Sequence, residues 1–323
     1  MLKLSSNFKV VDLFEYKPSE DCKKTDWQVS EGRVFIREKS KKGYSRIFSK
    51  DHIGSKGSWD ACNDTRIHYE GYCTDSWKAS GGKVFTFEST LTLDTGDSIC
   101  GRLLCDGKVI HDGDVADNGT DWRVDNGIVY RRNGCLAIVR GNKIFSTFRH
   151  LGRIDDWKVS DGKVFVLSYY EDRRDFSSNR NRFMIVCSDG INSHDRIVYD
   201  EPHTGEYSQY FGYCRVNWLV SQGSAYFLTG NSKIGYVICK DGKTICEKAT
   251  FDSWEVSGGQ LFLFKDYFDD EPHGRSVESN GVRIASWNVD DMSLSFWEGT
   301  GYIRHNDKKN NVYLFQKLVS TKV

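Results

Sequence analysis

The sequence has 323 residues, 14% of them aromatic, and its 45 basic side chains balance 45 acidic ones. A chain of this length and composition buries roughly three quarters of its unfolded surface, which argues against wholesale disorder. Zero net charge removes the electrostatic basis for general nucleic-acid binding. No stretch approaches the ~20 apolar residues that cross a bilayer, and the first residues lack the apolar core of a secretion signal. We therefore expect a soluble, cytoplasmic protein with no nucleic-acid or membrane partner, with non-classical export left open.

The first predicted element is a strand at about residues 8–16, where Val, Leu, Phe and Tyr outnumber the charged residues. It precedes a series of repeats that occupies the rest of the chain. Pairing of this strand with the last repeat would join the two ends of the chain and remove exposed sheet edges. We expect this closure.

A nine-residue phrase, Trp-x-Val-Ser-x-Gly-x-Val-Phe, recurs along the chain. Self-similarity of this kind is typical of repeat architectures. A small polar residue precedes each copy, and Gly holds the sixth position in every copy except the seventh, where Met292 stands. The copies begin at Trp27, Trp77, Trp122, Trp157, Trp218, Trp254 and Trp287.

The phrase predicts a β-hairpin. In the fourth copy, β-prone runs flank Asp161-Gly162, a dipeptide that tolerates the positive φ angles of a tight two-residue turn. This register places Trp157 and Val164 on one face of the sheet and Phe165 on the other. Both faces are therefore apolar, and such a sheet needs a packing partner on each side.

A second hairpin follows in most repeats, which gives four antiparallel strands per repeat. The predicted turns of these second hairpins lie at Asp106-Gly107, Gly141-Asn142, Asp189-Gly190, Asp241-Gly242 and Asn280-Gly281. Four-stranded sheets that pack face to face in succession are the design of a β-propeller. The chain is similar to repeat-built β-propellers in general, and we predict an all-β, seven-bladed β-propeller of four-stranded antiparallel blades.

We expect residues 1–323 to form a single propeller domain. A β-solenoid is an alternative, although it would have shorter and more uniform repeats, and two smaller β domains divided near the long fourth repeat are another. The stretch Asp117–Trp122 resembles the Asp-box of sialidase-like propellers. Because the other six copies lack it, we interpret it as turn chemistry.

The ten cysteines do not follow a disulfide pattern. Cys73 and Cys214 occupy equivalent positions in two repeats, and so do Cys187 and Cys239. Equivalent positions in different blades should lie beyond the ~7 Å between Cα atoms that a disulfide allows. We therefore expect free thiols and a reducing compartment. Neither Cys-x-x-Cys nor His-x-x-x-His occurs, so we predict no metal site and no cofactor.

Candidate binding residues come from the loops that differ most between repeats, because function in propellers usually lies in loops. The candidates are Arg173, Arg174, His203, Tyr207, Phe211 and Trp59. The loop of Arg173 and Arg174 has four arginines, which could hold an anionic group through bidentate contacts, although three nearby acids nearly cancel their charge. The aromatic candidates offer rigid ring surface, which protein and sugar ligands both use.

No nucleophile elbow, phosphate-binding loop or dinucleotide fingerprint occurs in the sequence. We name no catalytic residue, and the leading hypothesis is a non-catalytic scaffold that binds a protein partner through its loops. A carbohydrate-binding lectin is the alternative, and a propeller enzyme acting on glycans is the third interpretation. A lectin with one pocket per blade would repeat its pocket residues, whereas here the loops diverge, which favours a single asymmetric site.

Overall fold

The structure is a computed structural model. It describes residues 2–50, 65–72, 76–92, 99–114, 122–133, 137–141, 143–148, 151, 154–171, 181–190, 195–202, 217–231, 235–247, 251–267, 274–289 and 292–321. In these residues the protein is all-β, and none of them forms a helix that could cross a membrane. Seven small antiparallel sheets make a seven-bladed β-propeller, which confirms the predicted fold class.

The chain divides into two compact units, of which the first comprises Met1–Asp114 with Phe251–Val323 and the second comprises Val115–Thr250. We number the blades one to seven in the order of the repeats. Blades one, two, six and seven belong to the first unit, and blades three, four and five belong to the second.

The strands of the first unit are β1 (Lys3–Leu4), β2 (Phe8–Tyr16), β3 (Cys22–Ser30), β4 (Arg33–Ser40), β5 (Ser45–Lys50), β6 (Thr65–Gly71), β7 (Trp77–Ser80), β8 (Lys83–Thr92), β9 (Ile99–Cys105), β10 (Lys108–Asp114), β23 (Ser253–Ser257), β24 (Gln260–Tyr267), β25 (Gly274–Ser279), β26 (Val282–Asn288), β27 (Met292–Trp297), β28 (Thr300–Asp307) and β29 (Val312–Ser320). Blade one is β3–β6 and blade two is β7–β10. Blade six is β23–β26 with β1 added at its edge, and blade seven is β27–β29 with β2 at its edge.

The strands of the second unit are β11 (Trp122–Asp125), β12 (Ile128–Asn133), β13 (Ala137–Arg140), β14 (Lys143–Thr147), β15 (Asp156–Ser160), β16 (Lys163–Glu171), β17 (Asn181–Ser188), β18 (Arg196–Pro202), β19 (Trp218–Ser221), β20 (Ser224–Asn231), β21 (Gly235–Lys240) and β22 (Lys243–Cys246). Each successive group of four strands forms one blade in chain order.

The turns of the repeat hairpins adopt the left-handed backbone that the sequence predicts. In blade four, φ is 54° at Asp161 and 72° at Gly162. Positive φ at both central residues is the mark of a type I′ turn, whose twist matches that of the flanking strands. The corresponding pairs also have positive φ at both residues, and they are Glu31-Gly32, Gly81-Gly82, Asn126-Gly127, Gln222-Gly223, Gly258-Gly259 and Glu298-Gly299.

The second hairpins follow the prediction less uniformly. Positive φ at both residues confirms the turns at Asp106-Gly107, Asp241-Gly242 and Asn280-Gly281. Asn142 of the predicted Gly141-Asn142 turn lies outside the described residues. The prediction for blade four is wrong, because β17 ends at Ser188 and β18 begins only at Arg196. The Asp189-Gly190 dipeptide therefore begins a longer connection instead of forming a two-residue turn.

Blade four buries both faces of its sheet, as the register of the phrase predicts. Trp157 and Val164 pack with Tyr130 of blade three in one buried cluster. Phe165, on the opposite face, packs with Trp218 of blade five in another. Burial of an aliphatic or Phe side chain of this kind contributes roughly 1.5–3 kcal/mol. The two-sided apolar pattern thus builds the contacts between neighbouring blades.

The polar residue before a repeat Trp also links two blades. Asp26 of blade one accepts a hydrogen bond from the indole N–H of Trp77 in blade two at 3.0 Å. Asp156 of blade four accepts the equivalent bond from Trp218 in blade five at 2.8 Å. A buried indole N–H needs such an acceptor.

The serine of the phrase makes a second link of this type. Ser30 Oγ accepts a bond from the backbone N–H of Gly82 at 3.4 Å, and Ser160 Oγ accepts one from Gly223 at 3.2 Å. The donor in each case is the turn glycine of the next blade. The recurring phrase therefore encodes the junction between blades as well as the hairpin.

The N-terminal segment covers the edges of two sheets in the first unit. β2 pairs with β29 from Phe8, opposite Ser320, to Tyr16, opposite Tyr313. β1 adds a short pairing at the edge of β26. The first and last strands of blade seven therefore come from opposite ends of the chain, which leaves the edge of β29 covered.

The seventh copy of the phrase begins at Leu294, so the prediction that it begins at Trp287 is wrong. Trp287 lies on β26, in blade six. The hairpin of blade seven turns at Gly299. The spacing from Leu294 to this glycine is the same as the spacing from Trp27 to Gly32. The sequence that begins at Trp287 resembles the phrase, but Met292 stands in the place of the turn glycine, and a tight two-residue turn disfavours such a side chain.

Five cysteines are free thiols, and they are Cys22, Cys105, Cys187, Cys239 and Cys246. Burial raises the pKa of the Cys187 thiol to about 11. This side chain is therefore protonated at neutral pH and packs as a small apolar group.

Candidate functional site

The residues that the sequence predicts for binding lie outside the described residues. They are Trp59, within 51–64; Arg173 and Arg174, within 172–180; and His203, Tyr207 and Phe211, within 203–216. The described residues contain a different candidate.

A recess of about 340 Å³ lies in the first unit, between blade six and blade seven. Its size is at the lower end of the range for small-ligand sites. The apolar residues that line it are Phe264, Trp287, Val289, Met292 and Leu294. Trp287 is 6% exposed and Val289 is 38% exposed, so the recess leads from the surface to a buried aromatic wall.

The recess results from a departure of blade seven from the repeat. Leu294 stands where the other blades have a tryptophan, and Phe296 stands where blade one has Val29. The Phe296 ring stacks on Phe262 of blade six, with ring centroids 3.6 Å apart. Gly301 makes room for this ring, because a Cβ there would lie 3.3 Å from Phe296. The largest buried side chain of β27 is therefore Phe296, two residues closer to the turn than the Trp position, and this leaves space beside the smaller Leu294.

Two perpendicular aromatic rings form the wall of the recess. Phe264 on β24 and Trp287 on β26 meet edge to face, with centroids 6.5 Å apart and an interplanar angle of 88°. This arrangement suits the quadrupoles of the two rings. The guanidinium of Arg275 lies 5.8 Å from the centroid of the Phe264 ring, within range of a cation–π interaction.

An ion pair forms the polar side of the recess. Arg275 donates through Nη2 to Asp266 Oδ2 at 2.8 Å and through Nε to Oδ1. This bidentate geometry is the strong form of a charge-assisted hydrogen bond. The bond from Arg275 lowers the pKa of Asp266, and the same bond raises the pKa of Arg275. Both groups therefore remain charged at neutral pH, and their charges offset each other.

The other polar groups near the recess also have partners within the protein. Ser293 Oγ accepts a hydrogen bond from the indole N–H of Trp27 in blade one at 3.2 Å. The backbone N–H of Asp266 donates to the carboxylate of Asp252 at 2.7 Å. The polar lining is therefore held in place by internal bonds.

An exposed aromatic pair lies at the corresponding strand ends of blade one. The rings of Tyr44 and Tyr72 meet edge to face, with centroids 5.6 Å apart, and the residues are 39% and 67% exposed. Tyr44 precedes β5 and Tyr72 follows β6. In blade six, the residues at the equivalent strand ends line the recess: Gly274 begins β25 and Val289 follows β26.

A buried hydrogen-bonded chain joins blades one and two. Ser49 Oγ lies 2.9 Å from His68 Nε2, and His68 Nδ1 lies 2.7 Å from Asp106 Oδ1. This order of groups is that of a nucleophilic triad. Ser49 is only 2% exposed, so its hydroxyl is not placed to attack a substrate from solvent. Asp106 also accepts the backbone N–H of Val84 within blade two at 3.0 Å, so the bond from His68 ties blade one to a fixed turn of blade two.

No group of three or more His, Cys, Asp or Glu side chains in the described ranges could hold a metal ion. The candidate site consists of the apolar recess with its ion pair, and the exposed tyrosines of blade one form a separate aromatic patch.

Comparisons with known proteins address the fold. No family model and no curated protein matches the sequence. The chain is similar to a crystal structure described as the eukaryotic initiation factor, with 10% identity and a TM-score of 0.50 over 94% of this chain and 78% of that chain. The likeness shows the fold alone. An uncharacterized protein from Listeria monocytogenes EGD-e has 9% identity and a TM-score of 0.48 over 89% of this chain and 90% of its own. The N-terminal domain of Nup159 has 10% identity and a TM-score of 0.41 over 98% of this chain and 97% of that domain.

Sequence reasoning misses the recess because it assigns Trp287 to the seventh repeat. The signal is nevertheless present. Met292 stands in the place of the turn glycine, whereas Gly299 fits the spacing and points to Leu294 as the residue in the Trp position. A missing tryptophan in one copy indicates where the packing between blades differs.

Proposed function

We propose that the protein is a non-catalytic interaction scaffold that binds a protein partner through the recess of the first unit. The recess offers a concave apolar surface to one side chain of the partner. Tyr44 and Tyr72 add exposed aromatic surface at the corresponding strand ends of blade one. Tyrosine and tryptophan are enriched among the residues that dominate binding energy in protein interfaces. The loop residues that the sequence predicts remain candidates for further contacts.

The observation that carries the proposal is the internal pairing of the polar groups around an apolar recess. Asp266 and Arg275 bind each other, and Ser293 accepts a bond from Trp27. A sugar needs several polar groups directed at its hydroxyls, whereas an apolar side chain needs mainly a complementary wall from which water is displaced. This arrangement favours a protein side chain over a sugar, and the lectin remains the alternative.

Two valines of the same sheet provide a matched test. Val289 lines the recess and is 38% exposed, whereas Val282 begins β26 at its opposite end and is 47% exposed. Wild type, Val289→Asp and Val282→Asp are used to purify partners, which are identified by mass spectrometry and then produced in pure form. We expect Val289→Asp to weaken binding of the purified partner by about tenfold or more, since a buried carboxylate is costly. Val282→Asp should leave binding unchanged.

Two results would contradict the proposal. One is equal binding of the purified partner by both variants. The other is strong binding of wild type to defined sugars on a glycan array that Val289→Asp abolishes, which would favour the lectin.

A further inference from the structure

Three junctions between blades share one device that the recess lacks. In three junctions, an indole from the following blade donates its N–H to the residue before the Trp position of the preceding blade. The donor and acceptor pairs are Trp77 with Asp26 at 3.0 Å, Trp218 with Asp156 at 2.8 Å and Trp27 with Ser293 at 3.2 Å. In these three junctions the Trp position is therefore a slot that holds an indole ring.

The junction of blades six and seven keeps the slot and lacks the ring. Leu294 occupies the Trp position, and Ser253 occupies the acceptor position before Trp254. Ser253 lies opposite Phe264 in the pairing of β23 and β24, and directly opposite residues of a sheet share one face. Phe264 lines the recess, so Ser253 lies on the face of blade six that is directed to blade seven.

We propose that the recess binds an indole ring, which the partner supplies as a tryptophan side chain. That the indole belongs to a protein partner rests on the proposed function, whereas the binding of an indole rests only on the comparison of this junction with the others. The recess of about 340 Å³ holds the equivalent of roughly eleven waters, and an indole with its methylene has about ten heavy atoms. The ring contacts the perpendicular walls of Phe264 and Trp287, and its N–H donates to Ser253 Oγ, as in the equivalent junctions.

The first test uses N-acetyl-L-tryptophanamide and wild-type protein, with binding followed by NMR or calorimetry. A fragment of this size should bind with a dissociation constant on the order of 0.1–1 mM. The analogue methylated on the indole nitrogen should bind about tenfold more weakly, because it cannot donate the hydrogen bond. N-acetyl-L-leucinamide should not compete. Equal binding of the tryptophan and leucine amides would overturn the inference.

The second test restores the repeat. Leu294→Trp should fill the recess, raise the melting temperature and abolish binding of N-acetyl-L-tryptophanamide. Retained binding in this variant would place the ligand elsewhere and would overturn the inference. Ser253→Ala provides a milder variant if Leu294→Trp does not fold. It should lower the affinity for the tryptophan amide to that of the N-methylated analogue, and an undiminished preference for the N–H form would also contradict the proposal.

The outcomes separate this inference from the proposed function. If Val289→Asp abolishes partner binding and the tryptophan amide does not bind wild type, the scaffold stands and the indole assignment fails. If the amide binds as expected and no protein depends on Val289, the recess is a small-molecule site and the scaffold proposal fails. Where a partner does depend on Val289, free indole and a tryptophan-containing peptide of that partner distinguish the two sources, since only the peptide should gain affinity from contacts outside the recess.

Discussion

Asp26 is the residue that joins two buried groups at the junction of blades one and two. Its carboxylate accepts the indole N–H of Trp77 at 3.0 Å and forms a two-point ion pair with Arg37. The side chain of Arg37 is 2% exposed, so its charge is removed from water. A buried charge is tolerated when a partner holds it, and removal of that partner is costly.

Asp26→Ala should therefore be among the most destabilising single changes in the first unit. The variant leaves the Arg37 guanidinium without its carboxylate and the Trp77 indole without its acceptor. We expect the free energy of unfolding to fall by about 3–5 kcal/mol. Urea unfolding followed by tryptophan fluorescence measures this change.

Ser293→Ala is the matched control, because Ser293 holds the indole of Trp27 in the same way but carries no charge. Loss of this neutral bond should cost about 1–3 kcal/mol. If Asp26→Ala proves no more destabilising than Ser293→Ala, the ion pair with Arg37 contributes nothing to the junction.

Single residues show what the sequence can and cannot predict at this scale. The small polar residue before each Trp is evident from the repeat. Its partner is not, because the indole that Asp156 binds belongs to the next repeat, at Trp218. Such a pairing arises only when two distant segments pack face to face.

At the scale of elements, the first strands of blades one and six, β3 and β23, carry different residues at one equivalent position. Gln28 makes two hydrogen bonds to the backbone of blade two. Its Oε1 accepts the N–H of Ala79 at 2.8 Å, and its Nε2 donates to the carbonyl of Trp77 at 2.9 Å. Glu255 accepts the equivalent backbone bond from Phe296. Burial raises the pKa of Glu255 to about 7, because the ionised carboxylate is removed from water.

Glu255→Gln should stabilise the protein above neutral pH and change it little at about pH 5. A folded-state pKa raised from 4.5 to about 7 means that the folded protein holds the proton more tightly than the unfolded chain. The free energy of unfolding of wild type therefore falls as the pH rises from 4.5 to 7. The variant has no proton to lose, so its advantage should grow over this range, by at most about 1.4 kcal/mol per pH unit. Urea unfolding at a series of pH values measures it.

The reciprocal change in blade one provides the control. Gln28→Glu should introduce the same loss of stability with rising pH at a junction that does not have it. An identical pH dependence in wild type and Glu255→Gln would show that another group is responsible.

The hairpins are the elements that the sequence predicts best, because a tight turn depends on local residues that accept positive φ. The Asp161-Gly162 turn is an example. The absence of a tryptophan at Leu294 can be read from the sequence, whereas the recess itself cannot, since it depends on how Phe296 and Gly301 pack on two strands. Trp287 is misassigned because the residues that follow it resemble the phrase; Met292 in the place of the turn glycine argues against that register, and the pairing of β26 with β25 places Trp287 in blade six.

At the scale of the molecule, the N-terminal segment completes blade seven and extends blade six. β2 covers the edge of β29, and Phe8 and Val10 pack on the core that blades six and seven share. Leu2 and Leu4 pack on the same core. An uncovered edge strand offers unpaired backbone groups to other chains and promotes aggregation.

Two truncations should separate these contributions. Deletion of residues 1–5 removes β1 together with Leu2 and Leu4, and at roughly 0.8 kcal/mol for each buried CH₂ it should lower the free energy of unfolding by about 2–3 kcal/mol. Deletion of residues 1–16 also removes β2 and exposes the edge of β29. We expect this variant to lose cooperative unfolding and to aggregate, as measured by thermal denaturation and size-exclusion chromatography. A soluble variant with a cooperative transition would show that β2 is dispensable.

A circular permutation tests whether the pairing of β2, and not its position in the chain, provides the stability. Thr321 donates its backbone N–H to the carbonyl of Asn7 at 2.8 Å, and its hydroxyl donates to the carbonyl of Ser6 at 3.2 Å. The end of β29 therefore lies beside the start of β2, and a chain of residues 17–321 followed by 6–16 would form an antiparallel hairpin without a long linker. This permutant should unfold cooperatively with the free energy of the variant that lacks residues 1–5, whereas the chain of residues 17–321 alone should not. If the permutant aggregates like the longer truncation, the segment must precede the first blade during folding, because its pairing partner is present in both chains.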